Sequence, residues 1–67
     1  MVRCWVNFYR TYLGVPFALS GGTIEVRSAR DEDRAVEAAK RKFARRFGVD
    51  DWSMLADDFE VVCRRPE

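Results

Sequence analysis

VRCWVNFYRTY, residues 2–12, alternates without a break. Val2, Cys4, Val6 and Phe8 fall on one flank, and Arg3, Trp5, Asn7, Tyr9 and Thr11 on the other. A period of two over this length predicts a β-strand, because successive side chains of an extended chain point to opposite faces. The β-branched and aromatic content agrees. The first flank is purely apolar and suits a core. The second mixes two large rings with polar neighbours, so what those rings meet decides the functional reading.

Working outward, Leu13 to Gly22 reads as a turn region, carrying Gly14, Pro16 and the Gly21-Gly22 pair. Pro16 admits a short edge segment there but no central strand, since it cannot donate to a ladder. A second strand is expected over TIEVRSA, residues 23–29, with Ile24 and Val26 inward and Thr23, Glu25 and Arg27 outward. Asp31 is the expected N-cap of the main helix, with Glu32 and Asp33 in its first turn; Ser28 with Asp31 forms a rival capping box. Val36, Ala39, Phe43 and Phe47 recur at helical spacing as one apolar stripe. Gly48 suits the residue beyond the helix end, with Val49 to cover it. Asp50 or Asp51 then caps a short turn around WSMLA. The last strand is FEVVCRR, with Phe59, Val61 and Cys63 inward.

The predicted fold is therefore α+β, in the order β-β-α-β, one domain spanning residues 1–67. A right-handed crossover through the helix places the third strand beside the first. That gives a three-stranded antiparallel sheet of order 2-1-3 with one long helix packed on one face. The same register opposes Cys4 with Cys63, Val6 with Val61 and Phe8 with Phe59. The expected core is Val2, Cys4, Val6, Phe8, Ile24, Val26, Val36, Ala39, Phe43, Phe47, Phe59 and Val61, with Leu55 at its rim.

Composition bounds the rest. An apolar share of 48% with nine aromatics (two Trp, two Tyr, five Phe) supports a packed core. A chain of 67 residues buries only ~60% of its unfolded surface, so small folds of this size often draw on a disulfide, a metal or a partner. No stretch approaches the ~20 apolar residues of a membrane span. The first ten residues alternate instead of forming the apolar run of a signal peptide. A soluble cytoplasmic protein without a membrane partner is expected, and its two cysteines, Cys4 and Cys63, are expected to stay reduced there as small hydrophobes.

Net charge is +1, too little for a global field, but it is unevenly spread. Five bases lie between Lys40 and Arg46, and five acids between Asp50 and Glu60. On a helical wheel Arg34, Arg41 and Arg45 lie opposite the apolar stripe, which makes them candidates for nucleic-acid contact. Acids in the first turn and bases in the last also match the helix dipole, which explains the same residues as a solvated face. Asp50, Asp51, Asp57 and Asp58 lack the spacing of a Ca²⁺ loop and fit caps and strand starts. With no histidine and no nucleophile, phosphate-loop or metal motif, no catalytic, metal or cofactor site is expected.

The outer flank of the first strand carries the sharpest expectation. One helix covers one face of a sheet, yet Trp5 and Tyr9 lie on the other, with Val62 beside Trp5 and Glu60 beside Asn7. An apolar or aromatic patch on a small domain marks a contact surface. Three readings follow: association with a second copy or another protein, cover by the chain's own LGVPFALSGG segment, or base stacking on an open sheet as in RNA-recognition modules. The RNA-recognition sequence pattern is missing. The expected function is a small non-enzymatic interaction domain, self-associating, most simply as a dimer, through Trp5, Tyr9 and Val62 or a sheet edge. Nucleic-acid binding through helix residues 34–46 is the alternative.

Overall fold

The computed structural model describes residues 1–65. Strand β1 (Val2–Tyr12) is central, with β2 (Val15–Ala29) on one side and β3 (Asp58–Arg64) on the other, both antiparallel to it. Helix α1 (Glu32–Phe47) and a single 3₁₀ turn (Trp52–Met54) join β2 to β3. The predicted order and pairing stand: Cys4 faces Cys63, Val6 faces Val61, and Phe8 faces Phe59.

The helix ends follow from its caps. The Asp31 side chain, on extended backbone, accepts a hydrogen bond from the Arg34 N–H at 2.8 Å, so Asp31 and not Ser28 supplies the cap. At the other end Gly48 takes a left-handed φ of 67°, and the Val49 N–H reaches back to the Ala44 carbonyl at 2.9 Å. That six-residue closure needs a residue tolerant of positive φ. Asp51 caps the 3₁₀ turn by accepting from the Ser53 N–H at 3.1 Å.

The core lies between the helix and one face of the sheet. Cys4, Val6, Phe8, Ile24, Val26, Ala35, Ala39, Phe43 and Ala56 are buried together. Phe8 stacks on Phe43 with ring centroids 4.2 Å apart, and Phe47 closes against Phe43 at 4.6 Å. Val2, Phe47, Phe59, Val61 and Leu55 pack around this cluster half-buried. Trp52, outside the expected core, joins it: its ring sits edge-on to Phe59 at 5.4 Å and lies 5.7 Å from Phe8.

Three expectations are corrected. Val36 is half-buried and outside the core cluster; Ala35 takes the central position, fully buried. A row of Ala35, Ala39 and Phe43 at i, i+4, i+8 lets the helix backbone approach the sheet, which a β-branched side chain at the contact would prevent. Residues 13–22 are not a turn region. Leu13 and Gly14, with φ of 51° and 79°, form a two-residue hairpin turn closed by the Tyr12–Val15 pair, and β2 begins immediately at Val15. The Gly21-Gly22 pair instead lies in a bulge, since β1 advances two residues from Asn7 to Tyr9 while β2 runs from Thr23 to Ala18. Gly22 is buried there; a Cβ would meet the Leu19 and Phe8 carbonyl oxygens at 2.9 and 3.0 Å. Pro16 is accommodated because β2 is an edge strand.

The third correction concerns the thiols. Cys4 and Cys63 are joined as a disulfide across the β1–β3 pair, 59 residues apart in sequence. The alternation that faces them toward each other is what makes the bond possible. On chain-entropy grounds a crosslink closing a loop of this length is worth about 4 kcal/mol. Beyond Phe8 the β1–β2 hairpin projects past the end of α1 as an arm, and the molecule measures 40 × 24 × 17 Å. No helix among the described residues is long and apolar enough to cross a membrane.

Candidate functional site

On the face of the sheet opposite α1 the side chains fall into cross-strand rows. Arg64 lies beside Arg3, Val62 and Glu25 flank Trp5, Glu60 and Thr23 flank Asn7, and Asp58 and Ala18 flank Tyr9. Among the described residues no second layer lies across these rows. The LGVPFALSGG segment pairs edge to edge with β1 and does not fold over them, which removes intrachain cover.

Trp5 is the centre of this surface. The Arg3 guanidinium lies 5.1 Å and the Arg64 guanidinium 6.0 Å from its ring, both within reach of the ring's negative face. Arg3 also donates from Nε to Glu25 at 2.9 Å, and Arg27 lies 3.5 Å from the same carboxylate. The hydrogen bond from Arg3 is the main reason that Glu25 titrates below the ordinary glutamate range. Thr23 donates to the Asn7 side-chain oxygen at 2.7 Å, so that row is fixed by its own polar pair. Trp5, Asn7, Thr23, Val62 and Arg64 line a shallow depression of about 410 Å³. Trp5 and Tyr9 are half-buried by these neighbours, and Val62 is half exposed.

The charge on this surface is divided lengthwise. Arg3, Arg27 and Arg64 gather at the end where β1 starts, while Asp58 and Glu60 lie at the Tyr9 end. Partial desolvation, then the adjacent Asp58 and Glu60 carboxylates, raise the Tyr9 phenol pKa. At neutral pH Tyr9 therefore stays a neutral hydrogen-bonding ring.

The basic helix is less uniform than its sequence suggests. Lys40 Nζ lies over the Trp52 and Phe59 rings at 5.4 and 5.2 Å and pairs with Glu37 at 3.4 Å. Arg46 donates to backbone carbonyls of the β2 bulge. Arg34 and Arg41 share their surface with Asp31, Asp33 and Glu37. Arg45 sits instead with Lys42 and Arg46 at the helix C-terminus. The sequence-predicted trio of Arg34, Arg41 and Arg45 is thus divided between two patches, and only the second is free of interleaved acids.

Asp51, Asp57 and Asp58 are occupied locally. Asp51 caps the 3₁₀ turn and is held below the usual aspartate range by the Ser53 hydroxyl and N–H. Asp57 accepts from the Thr11 N–H at 2.6 Å, and Asp58 from the Phe59 N–H at 2.8 Å. Asp57 closes the open edge of β1 where β3 begins, its own N–H donating to the Tyr9 carbonyl at 2.9 Å.

Arg64 as a second cation over Trp5, and Asp58 beside Tyr9, were absent from the sequence-predicted site. Extending the predicted register by one pair at each end reaches both. Comparison with protein-family models, with curated proteins and with solved structures gives no match for this chain.

Proposed function

We propose that this is a non-enzymatic interaction domain that pairs with a second copy of itself through the outer sheet face, with Trp5, Tyr9 and Val62 at the contact. One observation carries the reading: an aromatic surface that none of the described residues covers has arginines at one end and carboxylates at the other. A two-fold approach with strands antiparallel brings the arginine end of each copy toward the acid end of its partner, so the face is complementary to itself. Burying Trp5 and Tyr9 this way extends the hydrophobic interior that 67 residues limit. Lack of histidine, and carboxylates engaged in caps and edge bonds, support a binding role over an acid–base one.

Sedimentation velocity across a dilution series tests the reading. A dimer that dissociates on dilution is expected, with Trp5→Ala weakening association by about 2 kcal/mol or more. A monomer at every concentration sinks it. Nucleic-acid binding through Arg34, Arg41 and Arg45 has less support, because Asp33 and Glu37 lie among the first two. Its signature would be a linear loss of log affinity with log salt. As for location, the cytoplasmic reading goes with Cys4 and Cys63 as thiols, whereas their disulfide fits an oxidising compartment.

A further inference from the structure

The hairpin arm carries large apolar side chains where neither the fold nor the outer-face contact uses them. Tyr12, Leu13, Val15 and Phe17 are exposed by 68, 87, 52 and 53%, four bulky residues within six positions. By register, Tyr12 pairs with Val15 and Arg10 with Phe17, continuing the helix-side flank of β1 that begins at Val2 and runs through Phe8. At Phe8 that flank is roofed by Phe43; at Tyr12 the helix has already ended at Gly48.

Leu13 is the most telling of the four. It occupies a left-handed position of the turn, at φ 51°, where Asn, Asp or Gly is the ordinary choice. It is also the most exposed large hydrophobic residue. Neither backbone preference nor hydration favours a leucine there, and strained residues that stand proud of a fold concentrate at functional positions.

We infer that the Tyr12–Phe17 hairpin tip docks on an anionic lipid surface, inserting Leu13 and its neighbours at the interface. Charge complementarity selects this partner. No acidic residue precedes Glu25 in the sequence, so the arm carries Arg10 and no carboxylate of its own. At its base, on the helix side, Lys42, Arg45 and Arg46 form the acid-free basic patch, with Arg46 reaching the bulge carbonyls of Gly21 and Thr23. Asp57 and Asp58 lie on the β3 side of the base, where Asp57 is bonded to the Thr11 N–H. A convex apolar tip with a basic collar behind it matches the layered chemistry of a membrane interface, acyl chains first and anionic headgroups next. The expectation of no membrane partner rests on the small net charge and the lack of a spanning stretch in the sequence, and neither bears on a peripheral contact of this kind.

The test is co-sedimentation of the disulfide-bonded protein with vesicles of phosphatidylcholine alone or mixed with phosphatidylglycerol. Binding to the anionic vesicles that weakens with salt is expected. Leu13→Asn should lower the partition coefficient by about tenfold or more, while its turn, now holding a residue suited to positive φ, keeps the native circular dichroism. Charge reversal at Lys42 and Arg45 should weaken binding as well. Trp5→Ala, which attacks the outer-face contact, should still bind as a folded protein, so failure of dimerisation and failure of lipid docking are separable. The inference is overturned by no binding to anionic vesicles, by binding that Leu13→Asn leaves unchanged, or by a Leu13→Asn effect on self-association without vesicles, which would make the occupant a second copy.

Discussion

Arg46 Nη1 donates to the carbonyl oxygen of Gly21 at 2.9 Å and lies 3.4 Å from that of Thr23, tying the last turn of α1 to the bulge in β2. The bulge is where β2 departs from regular pairing, so some of its carbonyls lack a ladder partner. A guanidinium with several fixed donors can serve two at once. Arg46→Ala should destabilise the domain by about 1–2 kcal/mol in urea unfolding. Arg45→Ala, one residue away with no such partner, should stay within about 0.5 kcal/mol. Equal effects would mean that the clamp contributes nothing.

The helix row gives a second test. Ala35 is fully buried while Val36 lies outside the core cluster. Ala35→Leu should therefore cost about 1–3 kcal/mol by overpacking, whereas Val36→Ala should cost well under 1 kcal/mol, since alanine's helix propensity offsets lost contact. Larger damage from Val36→Ala would restore the stripe read from the sequence.

That pair also explains what the sequence could convey. Alternation in β1 was strong enough to fix which residues face the helix, because a slip of one residue would turn Phe8 and Val6 outward; the crossover rule added the sheet order, and together they gave the β1–β3 pairs from Cys4–Cys63 to Phe8–Phe59. Alternation likewise placed Trp5 and Tyr9 on the uncovered face. The helix stripe was legible only to within one position, since Ala35 and Val36 are both apolar and only the closeness of the sheet decides between them. The arm was not legible. Gly14, Pro16 and Gly21-Gly22 suggest one irregular segment, yet Gly14 serves a tight turn and the glycine pair a bulge, with strand between. Nothing local announces that Leu13 will accept a positive φ.

Crosslinking the first and third strands predicts a large redox effect. Reduction, or Cys4→Ser with Cys63→Ser, should remove about 4 kcal/mol of stability. In a domain of this size that corresponds to a loss of roughly 15 °C or more in Tm. Calorimetry with and without reductant measures it. A shift of only a few degrees would mean that the unfolded chain gains little freedom when the bond opens.

Acid sensitivity follows from two carboxylates. The Arg3 hydrogen bond lowers the pKa of Glu25, and the Ser53 hydroxyl and N–H lower that of Asp51. Each binds its proton less tightly when folded than when unfolded. Their contribution is present above the unfolded values, near pH 4, and is lost as pH falls through the lower folded values. Stability should hold between pH 5 and 7 as far as these groups act and then decline below roughly pH 4. Glu25→Gln should make that decline shallower, and high salt should shrink the Glu25 share because the pair is exposed. An acid limb identical in Glu25→Gln would exclude Glu25 as a contributor.

The lengthwise division of charge on the outer face yields the last prediction. If two copies meet with strands antiparallel, the arginines around Trp5 approach the partner's Asp58 and Glu60, and added salt should raise the dissociation constant by screening that attraction. Arg64→Glu should weaken the homodimer, because it removes a cation facing the partner's acids and adds a like charge. Combining Arg64→Glu with Asp58→Lys in one chain exchanges one charge at each end, so that the new carboxylate faces the partner's new lysine, and should recover part of the loss, an outcome that a merely hydrophobic contact would not give. Analytical ultracentrifugation of the single and double variants reads this directly. Association that ignores salt and is equally weak in both variants would mean that charge does not orient the copies, even where Trp5→Ala abolishes pairing.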